Sequence, residues 1–163
     1  MRKETFGGAT YDLGCYTTSQ ILWLLDEDPV KVQAVAEFSQ EGIDTYTSGV
    51  LTFADGKKAT FICAMVLATD QDRRIDCLRI HGTLGDIYCG ARFNQSGELA
   101  YKLTMGGNSV VKTVSTPHNY CLEVEQLGRC ILNGEAPHVS EAFTMRNAHL
   151  LEKILAVIGY GKL

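Results

Sequence analysis

No stretch of the 163 residues approaches the roughly 20 apolar positions that a membrane-spanning helix needs, so no membrane partner is expected. The first 15 residues, Met1 to Cys15, are polar and glycine-rich with no hydrophobic core, so no export signal is expected either. Basic runs are also missing. Lys and Arg number 15 against 19 Asp and Glu, a net charge of -4, which argues against a nucleic-acid partner, whose phosphates demand a basic surface. Six cysteines are present, Cys15, Cys63, Cys77, Cys89, Cys121 and Cys130, but no two are two or three residues apart. The close Cys or His pairs of a zinc site are therefore absent, and no metal is expected. Without an export signal, reduced and mostly buried thiols in a cytoplasmic protein are the natural expectation.

What remains is the composition of a folded chain, 45% hydrophobic and 21% charged. No repeat, low-complexity tract or linker divides it, so residues 1–163 read as a single domain. A helix is predicted from Thr10 or Tyr11 to about Leu25. Thr10 would be its N-cap, and Leu13, Thr17, Ile21, Leu24 and Leu25 would share one face. Asp26-Glu27-Asp28-Pro29 ends it and reads as a solvated loop. Alternation over Val30–Phe38 predicts a first strand. Further strands follow at Thr45–Phe53 and Lys58–Leu67 around an Asp55-Gly56 turn. Cys77–His81 and Asp86–Cys89 flank Gly82-Thr83-Leu84-Gly85. Weaker strands at Leu99–Leu103 and Val110–Ser115 flank Gly106-Gly107. Thr69–Arg74 is a polar connection. Asn119 would cap a helix with a Tyr120, Val124, Leu127, Ile131 stripe, ended by Asn133-Gly134. Ser140 would cap the last helix, with Phe143, Leu151, Ile154, Leu155 and Ile158 inward and Gly159 and Gly161 closing it. This order predicts an α+β fold, a largely antiparallel open β-sheet with helices packed on one face.

The stretch with most chemical content is Gly7-Gly8-Ala9-Thr10-Tyr11-Asp12-Leu13-Gly14-Cys15-Tyr16. Asp12 and Tyr16 are four apart, one turn from each other on a helix. A carboxylate and a phenol so placed could grip a polyol and move a proton. Equally, Asp12 could serve only the helix dipole and Tyr16 only packing. His118, at a predicted helix start, could face a substrate cleft or serve only the helix end.

That ten-residue stretch resembles the opening of the C-terminal domain of the Gfo/Idh/MocA oxidoreductases, the glucose-fructose oxidoreductase and inositol dehydrogenase relatives. Four later stretches add to the resemblance. They are Leu25 to Phe38, the helix end and first strand, then Leu78-Arg79-Ile80-His81-Gly82-Thr83-Leu84-Gly85-Asp86-Ile87, the helix around Asn119, Glu123, Val124 and Glu125, and the approach to the last helix, Ala136-Pro137-His138-Val139-Ser140. The resemblance implies that Asp12 hydrogen-bonds substrate hydroxyls and that Tyr16 is the proton donor or acceptor. The substrate would be a sugar, polyol or related alcohol. A phenol there, where many members carry His, is similar to the glucose-fructose and dihydrodiol branches. The family's Rossmann domain, with its glycine-rich phosphate loop, has no counterpart in this sequence. The lysine that would lower the pKa of Tyr16 is missing too. The isolated chain is therefore expected to hold no cofactor and to be inactive alone, NAD or NADP arriving through the missing Rossmann domain of a larger dehydrogenase. The family also implies a homo-oligomer formed through the open sheet face. The alternative is a non-enzymatic binding or dimerisation module that kept the fold and lost the chemistry.

Overall fold

The structure, a computed structural model, describes residues 7–65 and 75–161. The last residues of the expected Lys58–Leu67 strand, Val66 and Leu67, and the connection Thr69–Arg74 lie outside the described residues. The remainder forms two compact units, one drawn from residues 7–65 and 139–161, the other from 75–138.

In the first unit, β1 (Lys31–Phe38), β2 (Asp44–Thr52) and β3 (Lys58–Ala64) form an antiparallel sheet in that order. Apolar and polar residues alternate along β1, so one edge of the pattern turns inward: Val32, Ala34, Ala36 and Phe38 are half-buried while Lys31, Gln33, Val35 and Glu37 are exposed. The inward face is covered by α1 (Cys15–Leu25) and α3 (Glu141–Ile158). Leu22, Leu51, Phe53, Phe61, Leu150 and Ile154 form the buried cluster between these layers. Gly49 lies at the register of Ala34 and Phe61. A Cβ there would stand 2.6 Å from the Gln33 carbonyl oxygen and 2.7 Å from the Phe61 ring, so only glycine lets that ring lie across the strand.

The face that α1 buries includes the expected Ile21 and Leu25, which pack against this cluster, but is centred elsewhere. Gly14, Thr18 and Leu22 point inward, and Leu24 is 49% exposed. Two of the three inward residues are not apolar, so a count of hydrophobic spacing passes over them. Thr18 is accommodated because its hydroxyl hydrogen-bonds within the unit: Asn147 Oδ1 is 2.6 Å away and the Gly14 carbonyl 2.9 Å. The helix ends at Asp26, whose φ of 47° stops it. The acidic run that follows is bound rather than merely solvated. Arg146 of α3 reaches Asp28 (3.0 Å) and Asp26 (3.3 Å), and Glu27 accepts from the Ala54 N–H (3.2 Å). At the head of α3, Ser140 caps as expected, accepting from the Phe143 N–H at 3.1 Å.

In the second unit, β4 (Leu78–Gly82), β5 (Gly85–Cys89), β6 (Gly97–Met105) and β7 (Asn108–Thr116) make a second antiparallel sheet. Its registers separate the faces cleanly. One carries Ile80, Ile87, Leu103 and Val110 in a row; the other carries His81, Asp86, Thr104 and Ser109. His81 Nδ1 and Asp86 Oδ1 pair directly on that polar face. The unit ends in α2 (Asn119–Asn133), whose Tyr120, Val124, Leu127 and Ile131 stripe is as expected in spacing but exposed. The N-cap position of α2 is His118 rather than Asn119. The chain is still extended at His118 (φ -62°, ψ 122°) and makes no side-chain cap there.

The α+β, antiparallel architecture with helices on one sheet face is as expected, while the described strands divide into two sheets. All six cysteines are free. Only Cys63 is buried, against the expectation of mostly buried thiols. Cys77 and Cys121 are exposed, Cys121 because α2 has no buried residue at all. Among the described residues no helix is long and apolar enough to cross a membrane.

Candidate functional site

The first helix does not begin as a regular α-helix. Thr10–Gly14 form a π-helical turn that runs directly into α1. A π turn carries an extra residue, is rare, and is frequently found at functional sites. Thr10 is not its N-cap: the residue before it, Ala9, is already helical, and Thr10 is fully buried. The reason is Asp44. Its Oδ2 accepts from the Thr10 N–H (2.7 Å), the Thr10 hydroxyl (2.7 Å) and the Thr47 hydroxyl (2.9 Å). A carboxylate from β2 thus takes the place of a local capping side chain and satisfies an orphan N–H at the helix start. Gly8 makes room for it. Its φ is 135°, and a Cβ would overlap Asp44 Oδ1.

Asp44 reaches this position through a bulge. Glu37 pairs with Tyr46 but Phe38 pairs with Asp44, so Thr45 is the extra residue. Strict alternation inward from Leu51, Gly49 and Thr47 would have turned Thr45 to the core and Asp44 away. The bulge shifts the parity and puts Asp44 and Thr47, three apart, side by side.

Two further tethers hold the same segment. Asn147 Nδ2 donates to the Cys15 carbonyl (3.0 Å). The Tyr160 hydroxyl donates to the Gly7 carbonyl (2.6 Å), and its ring meets that of Tyr11 edge-on at 5.8 Å. Burial raises the pKa of the Tyr160 phenol, with the Asp44 charge acting in the same direction. Cys63, whose thiol donates to the Thr47 carbonyl (3.7 Å), is pushed up to about 12, chiefly by burial and then by Asp44. Burial also raises Cys15.

On this tethered backbone Asp12 and Tyr16 both reach solvent, Tyr16 being 62% exposed. Among the described residues neither side chain has a hydrogen-bond, ion-pair or ring partner. They stand on one short segment, Asp12 within the π turn and Tyr16 in the first turn of α1. His118 belongs to the second unit, exposed at the α2 start, its ring 5.6 Å from that of Tyr120. Asn119, the first residue of α2, has its Oδ1 buried without a partner among the described residues. Sequence reasoning missed Asp44 altogether, because the bulge hides which way it points.

This fold is that of a C-terminal domain found in a class of oxidoreductases. The aldose-aldose oxidoreductase from Caulobacter crescentus, solved with glycerol, superposes with a TM-score of 0.78 over 95% of this chain and 46% of its own, at 22% identity. That likeness is one of fold. The chain belongs to the Gfo/Idh/MocA family: the model of the GFO/IDH/MocA C-terminal domain matches residues 1–88. A D-xylose 1-dehydrogenase (NADP(+)) of Haloferax volcanii is 30% identical over 136 residues, 82% of this chain and 40% of that protein. A trans-1,2-dihydrobenzene-1,2-diol dehydrogenase of Xenopus tropicalis is 24% identical over 168 residues, 98% of this chain and 49% of that protein. The chain therefore spans less than half the length of these curated relatives.

Proposed function

We propose that residues 1–163 act as one substrate-binding and oligomerising domain of an NAD(P)-dependent sugar or polyol oxidoreductase in the cytoplasm. The observation that carries this is the pair Asp12 and Tyr16, exposed and unpartnered among the described residues on a turn held by one buried and two half-buried tethers. The relatives' printed activities, on xylose and on a dihydrodiol, agree in acting on vicinal hydroxyl compounds.

In this reading the ionised Asp12 carboxylate accepts hydrogen bonds from substrate hydroxyls and fixes the sugar on the helix head. The Tyr16 phenol lies one turn further and gives a proton to, or takes one from, the reacting oxygen. The described residues do not themselves fit a dinucleotide. Their strands are antiparallel, and none runs through a glycine-rich turn into a helix, the arrangement that seats a pyrophosphate. The redox partner is thus held by a separate Rossmann domain, and this chain contributes binding, orientation and the proton. Self-association is supported by the apolar residues that the sheets leave open, Val35 and Ile62 on the first and the Val110 row on the second.

The test is made with the chain joined to a matching Rossmann domain, assayed on aldoses and polyols. Tyr16→Phe should lower kcat by about 100-fold or more with the fold intact, and Asp12→Asn should mainly raise KM. An undiminished kcat in Tyr16→Phe across pH would show that the phenol is not the proton-transfer group, and no turnover at all in the joined protein would leave the non-enzymatic binding module as the better description. Light scattering should show a mass above that of the monomer; a monomer up to near-millimolar concentration would remove the oligomer from the proposal.

A further inference from the structure

The Asp12 and Tyr16 side chains are held by no partner among the described residues, so their placement comes from the backbone beneath them. That backbone is set at its first residue by a group from a different strand. Asp44 is fully buried, and its Oδ2 gathers the Thr10 N–H, the Thr10 hydroxyl and the Thr47 hydroxyl. Its Oδ1 has no partner among the described residues and lies in the space that Gly8 leaves by lacking a Cβ. Leaving a buried carboxylate oxygen unpaired is costly. Fold stability alone would be served as well by an apolar side chain or by a local Ser or Asp cap. What the arrangement provides instead is a fixed link between β2 and the residue two places before Asp12. The Thr45 bulge exists on the strand where it turns Asp44 toward that link.

Resting on the function proposed above, we propose that Asp44 is the positioning residue of the Asp12–Tyr16 pair. It sets the Thr10–Gly14 π turn and thereby the direction in which the phenol and carboxylate face the substrate, without touching substrate itself.

A double-mutant cycle in the assembled oxidoreductase, with hydrogen exchange on the same proteins, tests this. Asp44→Asn keeps the shape and one acceptor, and should lower kcat by about 10- to 100-fold, the cost of a small misplacement of a catalytic group. In a Tyr16→Phe background the same substitution should change kcat by less than about 2-fold, since its effect passes through the phenol. Thr47→Val removes one donor to Asp44 from outside the turn and should give a smaller loss in the same direction. The amides of residues 10–14 should lose protection in Asp44→Asn while those of β6 and β7 keep theirs. Equal losses of kcat with and without the Tyr16 hydroxyl would overturn the inference, as would unchanged protection of the turn. A Tyr16→Phe protein with full kcat would instead overturn the functional reading; the exchange of residues 10–14 would still decide whether Asp44 sets the turn.

Discussion

The sheets β1–β3 and β4–β7 are built from the same materials, alternating strands joined by tight hairpins, yet they end in different states. All the described residues that are buried lie between Gly8 and Cys63 or between Leu150 and Leu155; residues 75–138 contain none. The first sheet received two helices on its apolar face and became a core. The second keeps its Ile80, Ile87, Leu103 and Val110 row only half-covered or exposed, and α2 keeps its stripe in solvent. An alternating strand pattern therefore marks a face that needs cover without saying what supplies it. The candidate site lies in the unit with its own core, where a fixed geometry is affordable.

The largest test of this contrast pairs two isoleucines on helices. Ile154 is fully buried and Ile131 is 72% exposed. Ile154→Ala should cost about 2–5 kcal/mol of stability in urea unfolding, and Ile131→Ala no more than about 0.5 kcal/mol in the monomer. Equal costs would erase the distinction between the units. Next in size is an alkaline effect. The Cys63 thiol stays neutral in the fold up to about 12 against an ordinary 9.0. Its contribution is thus complete below pH 9 and lost as pH rises from there toward 12, at no more than ~1.4 kcal/mol per pH unit. Melting curves between pH 8 and 11 should flatten most in Cys63→Ala and less in Cys121→Ala, whose exposed thiol is raised by its hydrogen bond to Glu125 in a solvent-screened setting. The smallest effect compares helix starts. Ser140→Ala removes a cap worth about 1 kcal/mol. His118→Ala removes no cap and should stay within about 0.5 kcal/mol, as read by denaturant midpoints.

Much of this architecture was legible in the residues. Ser140, Gly134 and Gly159 marked helix ends because caps are local chemistry, satisfied within four residues. The hairpins were marked by Asp55-Gly56 and Gly106-Gly107 for the same reason. That Asp12 and Tyr16 lie at the head of the first helix was legible because helix spacing is local too. The features that escaped depend on distant partners. The inward turn of Thr18 required Asn147, 129 positions away, and the π turn required Asp44, 34 positions from Thr10. The binding of Asp26 and Asp28 required Arg146. No periodicity within a window reports on any of these.

The Thr45 bulge gives that position an unusual kind of constraint. Its side chain faces no core and could be exchanged for many others, so substitution there should be well tolerated. Its removal would not be. With one residue fewer the ladder from Glu37 to Phe38 would run evenly, and Asp44, now two places before Thr47 rather than three, would lose the side-by-side placement with the Thr47 hydroxyl that the bulge provides. What is preserved at 45 is a tally of residues rather than a letter. In this part of the chain a gap in an alignment would carry more meaning than a mismatch.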